Sequence, residues 1–258
     1  MLRYCCLGSG SEGNALVIEA IDGLWPTRVL VDNGFNLRQL RRRLARAGLS
    51  IDAIDAVVVT HEHSDHAGGV AALARRRRIP VYATAGTAQA CGLTERGCDW
   101  RPLKDGAIVG IGGLSVRPYA VPHDAAEPVQ FVFSDGAVRL GLLTDIGSAT
   151  DGVVAALAGL RGFILECNHD AEMLRTGPYP YSLKSRISGE RGHLSNAQAA
   201  QLLARIDRRR LQLVIAAHLS RSNNRPALAR AALARVLNCG DADIAVADQD
   251  DGLSWRVL

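Results

Sequence analysis

The sequence predicts one α/β domain built on two mixed β-sheets, and three observations lead to this prediction. The chain has 258 residues, of which 48% are hydrophobic, enough to bury a large core. Segments with strand and helix patterns alternate in both halves, and a run of short strands separates them. No linker rich in Pro, Gly or Ser divides the chain. We therefore expect a single domain over residues 1–258.

The first half begins with two short strands joined by the turn Gly8–Asn14. This turn matches the pattern GxGxxG, but the apolar segment ALVIEA follows it. A dinucleotide site requires a helix at that point, so we reject this interpretation. The strands are predicted over residues 2–7, 15–20, 27–32, 56–60 and 79–84, and helices over residues 37–48 and 67–78.

The middle of the chain predicts short strands, and the second half returns to alternation. Asp135–Gly136 between two strands predicts a hairpin turn. Ser195 and Gln198 predict a capping box that opens a helix continuing through Asp207–Arg210. Residues 244–258 predict a closing hairpin. The other segments are strands over residues 106–113, 114–122, 128–135, 137–145, 161–167 and 211–218, and helices over 151–160 and 226–237.

The charge pattern is dominated by arginine. The net charge is +4, and Lys104 and Lys184 are the two lysines. Arginine clusters occur at Arg41–Arg43, Arg75–Arg78 and Arg208–Arg210, each late in a predicted helix. This position favours the interpretation that the clusters are solvated helix ends, where cations complement the helix dipole. The clusters could also form a surface that attracts phosphates.

The sequence also indicates the cellular setting. No apolar run approaches the roughly 18 residues that span a bilayer, and the first residues lack the pattern of a secretory signal. The six cysteines include no CxxC pair, and we interpret them as reduced thiols. We therefore expect a cytoplasmic enzyme without a membrane partner.

Residues 60–66, THEHSDH, carry the strongest chemical signal. His61 and His63 alternate in an extended stretch and project to the same side, while Asp65 and His66 begin the next helix. These four side chains can converge at the end of a strand. Imidazole and carboxylate ligands at this density favour zinc or manganese over calcium or magnesium. The sequence therefore predicts a metal site.

The motif HxHxDH resembles that of the metallo-β-lactamase superfamily. The resemblance implies a four-layer αββα sandwich and two divalent metal ions, Zn or Mn. It implies that Asp32 supports the metal loop and that Asp145 is shared by both ions. Asp145 and His218 also end apolar strands, where α/β sheets present side chains to a crevice. The implied ligands are His61, His63 and His123 for one ion, and Asp65, His66 and His218 for the other.

Longer segments resemble the bacterial YycJ or WalJ branch, whose members are proposed to be DNA exonucleases working from the 5′ end. The matching segments include SGSEGNA, THEHSDHAGG, ECNHDAEML, GPYPYSLKSRI and HLSRSNN. The resemblance therefore implies DNA as the substrate. One departure is Gln130, where glycine is expected; we expect it to affect local packing more than chemistry.

Further residues receive roles from this resemblance. We assign Asp65 and His193 to catalysis. The role of His193 is implied by the resemblance, because nucleases of the superfamily have an extra histidine between the motifs that hold Asp145 and His218, and it would protonate the leaving group. His169 is expected to be a surface histidine or one with satisfied hydrogen bonds. Two interpretations remain open for five polar residues of the second half: they contact substrate phosphates, or they belong to an ordinary solvated loop. These residues are Lys184, Arg186, Arg191, Asn223 and Asn224.

Three functions remain open from the sequence. A nuclease accounts for the specific segments and the basic clusters. A phosphodiesterase, lactonase or thioesterase for small molecules could use the same two metals. A noncatalytic binding module is disfavoured, because the ligand set is complete. The sequence leaves open zinc or manganese, DNA or RNA, and the oligomeric state.

Overall fold

The computed structural model describes residues 1–23 and 25–258. Within these residues, two seven-stranded sheets pack against each other. The first sheet contains β1 (Leu2–Gly8), β2 (Ala15–Asp22), β3 (Trp25–Val31), β4 (Ala56–Val58), β5 (Val81–Ala83), β6 (Trp100–Pro102) and β14 (Leu253–Val257). The second contains β7 (Val109–Ile111), β8 (Leu114–Ala120), β9 (Val129–Ser134), β10 (Arg139–Leu143), β11 (Gly162–Glu166), β12 (Leu213–Ala217) and β13 (Ala245–Val246).

Each sheet is mixed, as predicted. The first has the order β14-β1-β2-β3-β4-β5-β6, and the second has the order β13-β12-β11-β10-β9-β8-β7. Strands β3 to β6 are parallel, and so are strands β10 to β13. The remaining neighbours are antiparallel. Parallel strands place their carboxyl ends at one edge, so each sheet offers an edge for a functional site.

Helices cover the outer face of both sheets. The helices of the described residues, six of which pack on the sheets, are α1 (Leu37–Arg46), α2 (Ser64–Ala67), α3 (Val70–Arg77), α4 (Ala85–Ala90), α5 (Asp151–Ala156), α6 (Ala171–Thr176), α7 (Tyr181–Ile187), α8 (Asn196–Arg205) and α9 (Pro226–Leu237). Two 3₁₀ turns lie at Ile51–Ala53 and Asp241–Asp243. In the described part of the chain, no helix has the length and apolarity that a membrane crossing demands.

The apolar core forms three layers. Ile18 and Val29 of the first sheet pack with Phe131 and Phe133 of the second, which fills the space between the sheets. The first sheet packs on α1, α3 and α4, and the second packs on α5, α8 and α9. These contacts confirm the four-layer αββα sandwich that the family resemblance implied.

Helix α8 begins as predicted but ends earlier. The Ser195 side chain caps the Gln198 N–H, and the Gln198 side chain returns to Ser195, so the capping box is confirmed. The helix ends at Arg205, and the prediction that it continues through residue 210 is wrong. Ile206 adopts extended backbone and is buried, and the Asp207 carboxylate accepts the Arg209 N–H. This local turn competes with the helix.

The helix predicted over residues 67–78 is interrupted. Helix α2 ends at Ala67, and α3 begins at Val70, after two glycines. A Cβ on Gly69 would lie 1.9 Å from the carbonyl oxygen of Phe35. The close approach of these two backbone segments therefore requires glycine there.

The closing hairpin predicted over residues 244–258 is wrong. Strand β13 pairs with β12 in the second sheet, whereas β14 pairs with β1 in the first. A single bridge between Asp248 and Gly252 marks the turn between them. The chain end therefore links the two sheets, because β1 and β12 each have a free edge that one short strand can cover.

Arg43 corrects the interpretation of the first arginine cluster as a solvated surface. Its side chain is buried, and Nη1 donates to the carbonyl oxygens of Leu7, Gln249 and Asp250. The guanidinium also lies 4.0 Å from the centre of the Phe35 ring. Arg43 thus ties α1 to the loop before β14.

Candidate metal centre

The carboxyl ends of parallel strands supply the candidate site. Asp32 directly follows β3, and His218 directly follows β12. Asp145 follows β10 after one residue, and Glu166 is the last residue of β11. The HxHxDH segment follows β4 and leads into α2. The two sheets therefore bring their strand ends together at one edge of the sandwich, as argued from the sequence for Asp145 and His218.

Three of these residues have left-handed backbone. The φ angles are 57° at Asp32, 55° at Asp145 and 56° at His218. Asp and His tolerate this region better than most residues, yet such a conformation costs on the order of 1 kcal/mol or more. Strain shared by three converging polar residues is typical of a functional site.

A first group of ligand atoms comes from His61, His63 and His123, which lie within 4.8 Å of one another. Nε2 of His61 is 3.0 Å from Nδ1 of His63. Nδ1 of His123 donates to the carbonyl oxygen of Gly192 at 3.1 Å. This bond fixes the tautomer of His123 and leaves Nε2 with a lone pair for a metal.

A second group comes from Asp65, His66 and His218. Oδ2 of Asp32 accepts the Nδ1 proton of His66 at 2.8 Å and also accepts the Thr60 hydroxyl. Asp32 therefore orients His66 and leaves its Nε2 for a metal. Oδ2 of Asp145 lies 3.2 Å from that Nε2, and Asp145 belongs to a group with His61 as well. The structure thus brings together all seven residues that the sequence predicted to be ligands.

A third group adds His193 and a residue that sequence reasoning missed. Asp145, Glu166, His193 and His218 also offer atoms within 4.8 Å of one another. Oε1 of Glu166 lies 2.9 Å from Nδ1 of His193 and 3.2 Å from Nδ1 of His218. The sequence did hold a signal for Glu166, because this residue ends the apolar strand GFILE. Asp145 has a similar position after the apolar segment GLLT.

Unpartnered atoms test whether the site suits metal ions. Nε2 of His123, Nε2 of His218 and Oδ2 of Asp145 are buried and have no hydrogen-bond partner among the described residues. Buried polar atoms without partners are rare, and here three of them point into the same ligand groups. Imidazole nitrogens and carboxylate oxygens are the donors that zinc and manganese accept. The residues present therefore fit divalent metal ions.

The charges of the centre agree with this test. Burial raises the pKa of Asp145, but His218 and His66 outweigh burial and hold it well below its usual value. Burial lowers the pKa of His218, but Asp145 and Asp65 outweigh it and raise the pKa to about 10. For His61, burial and the neighbouring His66 both act to lower the pKa well below its usual value. The centre therefore keeps ionised carboxylates, which favour positive charge beside them as at His218, next to the neutral imidazole of His61.

A cavity of about 270 Å³ opens onto the ligand groups. His63, Asp65 and His193 line it on the side of the sheets, and Arg186 lines it from α7. The Arg186 guanidinium pairs with Asp124 at 2.6 Å, so it is held beside the cavity. Of the predicted substrate contacts, Arg186 is the one that lines this cavity.

The structure corrects two of the other predicted contacts. Asn223 and Asn224 are buried. The Asn224 side chain bonds to Asn196 and to the Cys167 carbonyl, and Asn223 donates to the Ser220 hydroxyl, so both residues support the loop after β12 and neither lines the metal cavity. Lys184 lies on the opposite side of α7, at a second cavity.

His169 differs from expectation, whereas Gln130 has the local packing role expected of it. His169 was expected to be exposed or satisfied, but its exposed fraction is 2% and its Nδ1 has no hydrogen-bond partner in residues 1–23 and 25–258. Gln130 is buried, and its Nε2 donates to the Thr144 carbonyl at 2.5 Å, directly before Asp145. The glutamine therefore supports the strand end that carries a candidate ligand.

Comparison with known proteins agrees with this geometry. The model of the beta-lactamase superfamily domain matches residues 27–214, which hold nearly all of the candidate centre. The chain belongs to the beta-lactamase superfamily. Together with the relatives described next, this membership makes the chain a metal-dependent hydrolase.

Two bacterial relatives match most of this superfamily member. Exodeoxyribonuclease YycJ of Bacillus anthracis is 36% identical over 239 residues, which cover 92% of this chain and 89% of that protein. Exodeoxyribonuclease WalJ of Streptococcus pneumoniae is 32% identical over 249 residues, covering 95% and 91%. The resemblance to the YycJ and WalJ branch is therefore confirmed.

Solved structures share the fold at low sequence identity. The metallo-beta-lactamase fold protein YhfI from Bacillus subtilis superposes with a TM-score of 0.76 at 15% identity, over 99% of this chain and 98% of that one. Zn(2+)-bound PqqB from Methylobacterium extorquens has a TM-score of 0.73 at 17% identity, over 99% and 100%. These likenesses confirm the fold of the superfamily.

Proposed function

We propose that the chain is a phosphodiester hydrolase that degrades DNA as an exonuclease from the 5′ end. The observation that carries the proposal is the pair of adjacent ligand groups, which share Asp145 between His61 on one side and His218 on the other. The two exodeoxyribonucleases at 36% and 32% identity support the choice of DNA over a small ester.

Two divalent ions, zinc or manganese, would be held by the predicted residues. His61, His63 and His123 would hold one ion, Asp65, His66 and His218 the other, and Asp145 both. Bound there, the ions would lower the pKa of water and stabilise negative charge on the attacked phosphate. Asp32 and Glu166 do not reach the cavity and act by orienting His66, His193 and His218.

The residues around the cavity can guide the rest of the reaction. His193 lines the cavity, and Glu166 holds its Nδ1, so Nε2 is the nitrogen left for the leaving oxygen of the substrate. A proton donated from there would release the sugar oxygen. Asp65, a proposed metal ligand, lines the cavity and can also position the attacking water. Arg186 supplies positive charge for a phosphate on the side of α7.

The proposal is tested with end-labelled polymers. Metal-loaded protein is incubated with single- and double-stranded DNA, RNA and bis(p-nitrophenyl) phosphate, and products are resolved by length. The proposal expects mononucleotides released progressively from the 5′ end of DNA, and no cleavage by Asp145→Ala. Internal fragments, release from the 3′ end, or turnover of the small diester alone would each contradict it.

Salt dependence separates a polymer substrate from a small one. Arginines that neutralise phosphates release counterions, so DNA affinity should fall steeply between about 50 and about 200 mM salt. Turnover of bis(p-nitrophenyl) phosphate lacks those contacts and should change far less. Equal salt dependence of both would favour a hydrolase of small phosphodiesters.

A further inference from the structure

Helix α7 separates the metal cavity from a second cavity. Leu183 and Arg186 of this helix line the metal cavity, whereas Tyr181, Lys184 and Ser185 line the second one. The second cavity has a volume of about 410 Å³, within the usual range for small-ligand sites. The two cavities therefore lie on different faces of one short helix.

The buried wall of this cavity contains His169. This residue lies three positions after β11, and 2% of its surface is exposed. Its Nδ1 is buried without a hydrogen-bond partner in the described chain. Burial lowers the pKa of His169 to about 4, so the ring is neutral at neutral pH. A polar ligand group at this wall would supply the hydrogen bond that the ring lacks.

The rim of the cavity supplies charge and an aromatic surface. Nζ of Lys184 donates to the Arg175 carbonyl at 2.8 Å, and no carboxylate of the described residues lies within 4.0 Å of it. Arg175 itself pairs with Glu172, so Lys184 carries the available positive charge. Tyr181 is 85% exposed, so its ring offers a large unpacked surface at the rim.

We propose that this cavity binds a second nucleotide of the single strand whose phosphodiester lies at the metal centre. The base stacks on Tyr181, a phosphate contacts Lys184, and His169 hydrogen-bonds a polar group of the base. The inference rests on the proposed nuclease function. A free inorganic phosphate would use Lys184 but leave Tyr181 and His169 without a contact, so a nucleotide fits the three groups better.

Binding of an uncleavable strand tests the proposal directly. A fluorescent phosphorothioate DNA of about 8 nucleotides, a length that one single-strand site covers, is titrated with metal-loaded protein, and anisotropy is measured. Tyr181→Ala should weaken binding by about 5- to 150-fold, the loss expected for one stacked base. Trp25→Ala is the matched control, because Trp25 is 84% exposed and lies at the β2–β3 hairpin. Its affinity should equal that of the parent.

Two further variants test the other groups. Lys184→Ala should weaken binding and lower the slope of log affinity against log salt by about one, while Lys104→Ala, at the second lysine of the chain, which is exposed, should not. His169→Phe keeps a ring but removes the buried nitrogen, and it should weaken binding with an unchanged circular dichroism spectrum. If a folded His169→Phe binds the strand with the affinity of the parent, the proposed hydrogen bond from His169 to the base is wrong.

The outcomes distinguish this inference from the proposed function. If the parent binds the strand and Tyr181→Ala binds it equally well, the second nucleotide site is wrong and the nuclease proposal stands. If the parent binds no strand at low salt, both proposals fail. The ratio of kcat/KM for DNA to that for bis(p-nitrophenyl) phosphate should fall in Tyr181→Ala. Turnover of bis(p-nitrophenyl) phosphate at the parent rate shows that Tyr181→Ala is folded, because a misfolded variant would lose both activities. In that folded variant, a ratio equal to that of the parent contradicts the inference.

Discussion

Glu166 lies against His193, with Oε1 of the carboxylate 2.9 Å from Nδ1 of the ring. The same carboxylate accepts the backbone N–H groups of Asp145 and Leu194, each at 2.9 Å, and contacts His218. Burial raises the pKa of Glu166, but His193 and His218 outweigh it and lower the pKa to about 2. An ionised, fully buried carboxylate therefore holds three parts of the candidate centre together.

Glu166→Gln should reduce hydrolysis and metal affinity by about 10- to 100-fold, because the amide keeps the shape but loses the charge that orients both histidines. Metal affinity is measured by competition with a chelator, and turnover on bis(p-nitrophenyl) phosphate. Glu95→Gln changes an exposed glutamate in the turn after α4 and should match the parent. Parent-like metal affinity and turnover in Glu166→Gln would limit Glu166 to supporting the fold.

His66→Ala should lower the metal content from two ions per chain to one. His66 contributes to the group with Asp65 and His218, whereas His61, His63 and His123 form a group without it. Elemental analysis of metal-replete protein gives the count. His169→Phe is the control, because His169 lies outside all four groups, and it should retain two ions. A count of one in the parent, unchanged in His66→Ala, contradicts the two-metal proposal.

The local part of the centre could be predicted from the sequence, because short spacing fixes it. His61, His63, Asp65 and His66 lie within six residues between a strand and a helix, so their convergence follows from backbone geometry. His123, Asp145 and His218 were placed through the family resemblance. Glu166 was missed, since a carboxylate that ends a strand gains its role from distant histidines.

Errors in the predicted fold share one cause, which is contact between segments far apart in sequence. Residues 244–258 have hairpin signals, but the free edges of β1 and β12 decide where the two strands pair. Arg43 has the sequence context of a surface helix, but carbonyl groups of the loop before β14 bind it. Tertiary contacts thus override local patterns at these positions.

Glu19→Gln should destabilise the fold at neutral pH by about 3 kcal/mol, the lower end of the range for breaking a buried ion pair, because its two arginine partners keep some solvent contact. Glu19 on β2 is buried between Arg3 on β1 and Arg28 on β3. Urea unfolding at neutral pH measures the loss. Glu95→Gln is the control, because Glu95 is exposed, and its free energy of unfolding should equal that of the parent. Glu127 is unsuitable as a control because its carboxylate accepts the Gly86 N–H.

The pH dependence of the Glu19 contribution has a defined sign. Burial raises the pKa of Glu19, but Arg3 and Arg28 outweigh it and hold the pKa below its usual value of 4.5. The ion pairs therefore stabilise the fold fully above pH 4.5, and this stabilisation is lost as the pH falls through the lowered pKa. The stability difference between parent and Glu19→Gln should shrink on acidification. A constant difference would contradict the assignment.

His193→Ala should keep both metals and lose turnover of DNA. His193 is held by Glu166 and lines the cavity, so the variant removes the proposed proton donor and leaves the seven proposed ligands in place. General acid catalysis is worth about 100- to 10,000-fold, and DNA turnover should fall within that range. For bis(p-nitrophenyl) phosphate, whose nitrophenolate leaves without a proton, the loss should be much smaller, and elemental analysis should still give two ions. DNA cleavage at the parent rate, or loss of a metal, would assign the histidine to a structural or ligand role instead.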